Sequence, residues 1–113
     1  MKNKDFIAVY SNRKSTADSN MVLYKLDTEL KSIRVGYSVS KKVGNSVVRH
    51  RITRRLREIT KESLKDVDGS FDLVIVARNS AANADFMQLS NSFKKLFGRI
   101  DKMRNEKNTD SNN

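Results

Sequence analysis

A chain carrying the stretch RVGYSVSKKVGNSVVRHRITRRLRE, from Arg34 to Glu58, has few ways to fold. Ile33, Val35, Tyr37 and Val39 alternate with Arg34, Gly36, Ser38 and Ser40, the period-two pattern of a strand with one buried face. Lys41 to Asn45 breaks that pattern. Gly44 offers backbone angles other residues avoid, and Asn45 or Ser46 can cap a helix that follows. Val48, Ile52, Leu56 and Ile59 then recur at helical spacing and predict one core-facing stripe.

At about 100° per residue, Arg51, Arg54, Arg55 and Arg57 fall mostly off that stripe. Between Lys41 and Arg57 seven residues are Lys or Arg and none is Asp or Glu. A merely soluble helix face usually mixes signs, so this one predicts a phosphate partner. Arginine suits it because the planar guanidinium can hold a phosphate through two hydrogen bonds. The whole chain leans the same way: 23 Lys and Arg against 13 Asp and Glu give a net charge of +10. That excess calls for a polyanion, either nucleic acid or an anionic membrane surface.

Several classes are excluded or disfavoured. No run approaches the roughly 18 apolar residues of a membrane span, and MKNKDFIAVY lacks the apolar core of a signal peptide. The chain has no cysteine, which removes disulfides, thiolate metal sites and cysteine nucleophiles. A cytoplasmic protein is expected. His50 is the single histidine and lies among arginines, a poor setting for a general base. Asp66, Asp68 and Asp72 surround a turn glycine but lack the closing Glu of a calcium loop. Lys41 to Asn45 lacks the glycine run of a phosphate loop.

In chain order, Asp5 to Tyr10 predicts a short helix with Phe6 and Tyr10 on one face. Ser11 to Asn20 is polar and loop-like. Met21 to Leu26 predicts a strand with Val22 and Tyr24 on one side, and Asp27 to Lys31 a turn. The basic helix fades near Leu64, and Asp66 to Ser70 is a second turn. Phe71 to Ala77 is apolar on nearly both faces and belongs inside the sheet. A last helix starts around Asn83 to Asp85, with Phe86, Leu89, Phe93, Leu96 and Ile100 as its apolar stripe. One domain is expected over residues 1–104, and a disordered polar tail from Asn105. Phe6, Tyr10 and Tyr24 could form one wall, since aromatic rings stack on unpaired bases largely regardless of base identity. Phe6 suits a core equally well, whereas the polar tips of Tyr10 and Tyr24 suit a wet groove.

Taken in this order, the segments resemble the bacterial ribonuclease P protein component from Asp5 to about Ile100. The most specific part is Arg34 to Glu58; Asp5-Phe6 through Tyr10, VLYKL and FDLVIVAR follow the family's order. Departures are His50 in the middle of the family's Arg-Asn-Arg core, Thr53 where lysine is usual, and Asp18-Ser19-Asn20-Met21 in place of Asn-Arg-x-Phe. The resemblance implies an α+β fold, a small mixed sheet packed with helices in α-β-β-α-β-α order. It also implies a left-handed β-α-β crossover (ribosomal-protein-S5-domain-2-like), against the general right-handed preference.

The resemblance further implies a non-catalytic protein subunit of an RNA-based endoribonuclease. Its partners would be the catalytic RNA, which holds the Mg2+ ions, and precursor tRNA, whose 5′ leader is removed. Contacts to the catalytic RNA carry over to Lys41, Lys42, Asn45, Arg49, His50, Arg51, Arg54, Arg55 and Arg57. Contacts to the leader carry over to Phe6, Tyr10 and Tyr24. No catalytic residue, metal site, membrane or DNA partner is expected in the protein. A plain RNA-binding or ribosomal protein fits the composition equally well; the ordered motif set separates the two. A DNA-reading helix-turn-helix needs a helix where this chain places a strand.

Overall fold

The structure, a computed structural model, describes residues 1–11 and 14–103. Helix α1 (Asn3–Ser11) leads into strands β1 (Ser15–Ala17), β2 (Met21–Asp27) and β3 (Ile33–Ser38). Helix α2 (Ser46–Leu64), strand β4 (Phe71–Ala77), a short 3-10 turn (Asn79–Asn83) and helix α3 (Phe86–Asp101) complete it. The four strands lie in the order β1-β2-β4-β3. β1 and β4 both run antiparallel to β2, and β3 runs parallel to β4. Thus β3, α2 and β4 form a parallel crossover between neighbours.

β4 lies inside the sheet, as its run of apolar residues predicts, and every residue but Val76 is buried. Alternation sends Leu73 and Ile75 to the face that also carries Met21 and Leu23, and there α2 and α3 pack. Ile52, Leu56 and Ile59 from α2 and Leu89, Phe93, Leu96 and Ile100 from α3 complete this core. Phe93 is fully buried and stacks on Phe97 at 5.7 Å. The other face carries α1. Val9 and Val74 are fully buried there, apart from the main cluster.

Three expectations are corrected. Ser11 to Asn20 contains a strand, so the order is α-β-β-β-α-β-α. Nothing in Ser15-Thr16-Ala17 alternates; β1 exists because β2 offers a free edge, on which Ser15 meets Tyr24 and Ala17 meets Val22. Phe86 is not core but 38% exposed. It occupies the first position of α3, inside the Asp85–Gln88 capping box, before the helix reaches the sheet. The arginines of α2 are also less uniformly exposed than their wheel positions suggest, as described below. The tail expected from Asn105 lies outside the described residues.

Two charges enter the core side unannounced. Lys14 is 7% exposed and pairs with Asp27 at 3.3 Å, and beside it Lys25 on β2 is only 6% exposed. Its Nζ lies 3.1 Å from Asp101 Oδ1, 3.7 Å from Asp27 Oδ1 and 4.6 Å from the Phe71 ring centroid. A buried ammonium needs such partners, and these fasten the end of α3 to β2.

Two substitutions in α3 calibrate this core. Phe93→Ala is expected to cost about 3–5 kcal/mol of stability in urea denaturation. Gly98→Ala meets nothing within 4 Å and is expected to stabilise by about 0.5–1 kcal/mol, because glycine is entropically costly inside a helix.

Candidate nucleic-acid interface

The basic helix begins at a cap that settles the open choice between Asn45 and Ser46. Asn45 is extended, and its Oδ1 accepts a hydrogen bond from the Val48 N–H at 3.0 Å. Gly44 is required for space rather than for unusual backbone angles: an added Cβ would lie 2.7 Å from Val48 Cγ1. Among the described residues Gly69 is the glycine with positive φ. Val43 is buried and anchors the loop, leaving Lys41 and Lys42 exposed.

Along α2 the cations sort into a crest and two flanks. His50, Arg54 and Arg57 are exposed. Arg57 lies over the Tyr37 ring at 5.8 Å, and the Tyr37 hydroxyl pairs with Thr60 at 2.6 Å. On the opposite flank Arg51 and Arg55 are partly buried and donate to the carbonyls of Ala82 and Ala84, at 3.2 and 3.1 Å. The Nε groups of Arg49 and Arg51 are buried without a hydrogen-bond partner. Thr53 spends its hydroxyl on the Arg49 carbonyl of its own helix.

The aromatic set lies on the other face of the sheet. Tyr10 meets Tyr24 edge-on at 4.9 Å, and Phe6 lies 6.4 Å from Tyr10. The structure therefore brings all three together, with Tyr10 39% exposed. Strand register arranges this face in rows: Leu26–Asp72–Arg34, Tyr24–Val74–Gly36 and Val22–Val76–Ser38. α1 covers the first two. Asp5 reaches Arg34, and Phe6 lies on Gly36, where a Cβ would be 2.7 Å from the ring. The third row stays half-buried beside the aromatic wall. Its β3 end, at Ser38, leads straight into the loop of Lys41 and Lys42.

Comparison with known proteins decides what these surfaces belong to. The Ribonuclease P family model matches residues 1–101. The ribonuclease P protein component of Thermoanaerobacter sp. (strain X514) is 45% identical over 95 residues, covering 84% of this chain and 82% of the relative. That of Bacillus cereus (strain AH187) is 41% identical over 99 residues, covering 87% and 86%. The chain belongs to the ribonuclease P protein family.

Ribonuclease P protein structures match it as well. The Staphylococcus aureus protein superposes with a TM-score of 0.81 at 35% identity, over 90% of this chain and 93% of that one. The Thermotoga maritima protein, at 19% identity and a TM-score of 0.77, shares the fold. As a ribonuclease P protein, the chain is the protein subunit of the ribonucleoprotein endoribonuclease that processes tRNA 5′ ends, and its partner is RNA. No three His, Asp or Glu side chains gather as metal ligands among the described residues.

The residues that sequence reasoning missed are those that place the aromatic wall. Arg34 holds the buried Asp72 through two hydrogen bonds of 2.8 and 2.6 Å, and also reaches Asp5 at 3.5 Å. The hydrogen bond from the Lys2 N–H is the chief cause holding the Asp5 carboxyl below its ordinary value; desolvation opposes it and the Arg34 charge assists. The available signal was Asp72 itself, a charge within FDLVIVA that cannot be buried unpaired.

Asp5→Asn keeps an acceptor for the Lys2 N–H while removing the charge facing Arg34. It is expected to speed amide exchange at Val9 while leaving α2 unchanged. A carboxylate with a lowered folded-state pKa stabilises above its unfolded value of about 3.9, and that contribution is lost as pH falls through the folded value. Wild-type α1 should therefore hold its protection down to about pH 4, losing it only in more acidic solution, as measured by exchange across a pH series.

Proposed function

We propose that α2 and the Lys41–Asn45 loop bind the catalytic RNA of ribonuclease P, while the groove beside α1 holds the single-stranded 5′ leader of precursor tRNA. The observation carrying this reading is the separation of the two sets. The arginines and the aromatic rings occupy opposite faces of one small sheet, so a single chain can hold two RNAs at once. The Mg2+ ions and the bond-breaking step belong, in this reading, to the catalytic RNA, and the protein works in the cytoplasm.

The protein's contribution is charge and position. A net charge of +10 offsets repulsion between two polyanions, and release of their counterions favours assembly at low salt. The exposed guanidinium groups of Arg54 and Arg57 support a phosphate partner on this helix, because a guanidinium can hold a phosphate through two hydrogen bonds. Lys41, Lys42 and His50 are exposed beside them. Asn45 keeps its amide N–H groups for RNA while its oxygen caps the helix. Tyr10 and Tyr24 offer edges and faces to unpaired bases, each stacked base adding about 1–3 kcal/mol.

The deciding experiment is cleavage of precursor tRNA by the cognate catalytic RNA at low magnesium, with and without this protein. Strong stimulation is expected, and none would defeat the proposal. Arg54→Ala combined with Arg57→Ala should weaken binding to the catalytic RNA and reduce the slope of log affinity against log salt by about 2, roughly one per phosphate contact. Tyr10→Ala should weaken precursor binding by about 1–3 kcal/mol and leave mature tRNA binding unchanged. Equal losses for precursor and product would remove the leader from the groove.

A further inference from the structure

Stacking rings, and arginines that meet phosphates, bind RNA without choosing among bases. Choice requires hydrogen-bonding groups that face a base edge, and a carboxamide presents a donor and an acceptor side by side. Carboxamides line one hollow of this molecule. A cavity of about 520 Å3 lies between the β1–β2 turn, the 3-10 turn and α3, within the size range of ligand-binding clefts.

We propose that this cavity takes one unstacked nucleobase and reads its edge through the carboxamides of Asn83 and Asn91. The proposal extends the RNA-binding reading above and rests on it.

The walls are already built. Asp18 Oδ1 accepts the N–H groups of Asn20 and Met21 at 2.8 and 3.1 Å, and its other oxygen lies 3.3 Å from Lys95 Nζ. Asn20 donates to Ser92 at 2.9 Å and accepts from Ser80 at 2.9 Å. Arg78 donates to the Asp18 carbonyl at 2.8 Å, tying the turn to the end of β4. These bonds hold Asp18 and Asn20 in place and leave the cavity close to neutral, because Lys95 is matched by Asp18. A neutral, amide-lined cavity without an aromatic wall suits a base edge better than a phosphate.

Asn83 and Asn91 make no side-chain hydrogen bond to protein among the described residues, and each retains a donor and an acceptor. Gln88 gives its Oε1 to the Asp85 N–H and keeps its amide N–H groups. Position supports an RNA occupant. The β1–β2 turn follows Ala17, which pairs with Val22 at the β1 end of the proposed leader groove. On the other side Ala84 lines the cavity while its carbonyl holds Arg55. The cavity thus lies between the leader groove and a flank of the basic helix.

The base can come from the leader or from the catalytic RNA, and one experiment separates them. The holoenzyme, with wild-type protein or with Asn83→Ala plus Asn91→Ala, is given a pool of precursor tRNAs randomised in the leader. The affinity of each protein for the catalytic RNA is measured in parallel, with Tyr10→Ala as a groove control. The expected result is a base preference at one leader position that falls on the order of tenfold, as for loss of a bidentate base contact, while catalytic-RNA affinity holds. A comparable loss of catalytic-RNA affinity, with leader preferences intact, supports the same site filled by a base of that RNA. If neither quantity changes, the cavity reads no base and the proposal is overturned. If Tyr10→Ala is silent while the asparagine variant is not, the groove reading fails and the cavity stands. Both asparagines are exposed, and an unchanged urea midpoint confirms that the variant is folded.

Discussion

A carboxylate buried in an apolar strand has to be met by a cation, and the pair of Asp72 and Arg34 is where the sheet and α1 are joined. Asp72 sits on β4 at 2% exposure, directly across from Arg34 on β3. Breaking such a pair from one side leaves an uncompensated buried charge, at a cost of about 3–5 kcal/mol. The guanidinium emerges beside α1, where it meets Asp5. Phe6, one residue on, then settles against Gly36, and Tyr10, one turn further, against Tyr24. A single buried charge therefore sets the position of the aromatic wall.

The other face solves a different problem with one helix. α2 must bury Ile52, Leu56 and Ile59 against the sheet and still present unneutralised cations. Like charges repel along an exposed helix, and the structure eases this by spreading them. Arg51 and Arg55 lean onto backbone carbonyls, Arg57 onto the Tyr37 ring, while Arg54 and His50 stay on the crest. The first acid after the basic run is Glu58, which shares one surface hollow with Arg51, Arg54 and Arg55.

How much of this was legible follows from which forces are local. Period-two alternation at Ile33 to Val39 and Met21 to Leu26, helical spacing at Val48 to Ile59, and a cap at Asn45 or Ser46 all depend on neighbours within a turn or two. They came out as expected. Phe71 to Ala77 announced an interior strand because only a strand covered on both faces tolerates so continuous an apolar run. The gathering of Phe6, Tyr10 and Tyr24 was readable as a resemblance, and the structure places them together.

The sequence by itself determined the three α-helices, three of the four strands, the family and the concentration of positive charge between Lys41 and Arg57. Tertiary structure alone decided that Ser15 to Ala17 becomes a strand, because only the free edge of β2 supplies its hydrogen bonds. It decided that Phe86 stays outside the core, because α3 meets the sheet a turn later. It decided that Lys25 is buried beside Asp101, that Arg34 serves two carboxylates, and that Asn83 at the end of the 3-10 turn and Asn91 on α3 line one cavity. Each of these depends on partners far apart in the chain, and a pattern of neighbours cannot encode a contact whose two halves meet only after folding.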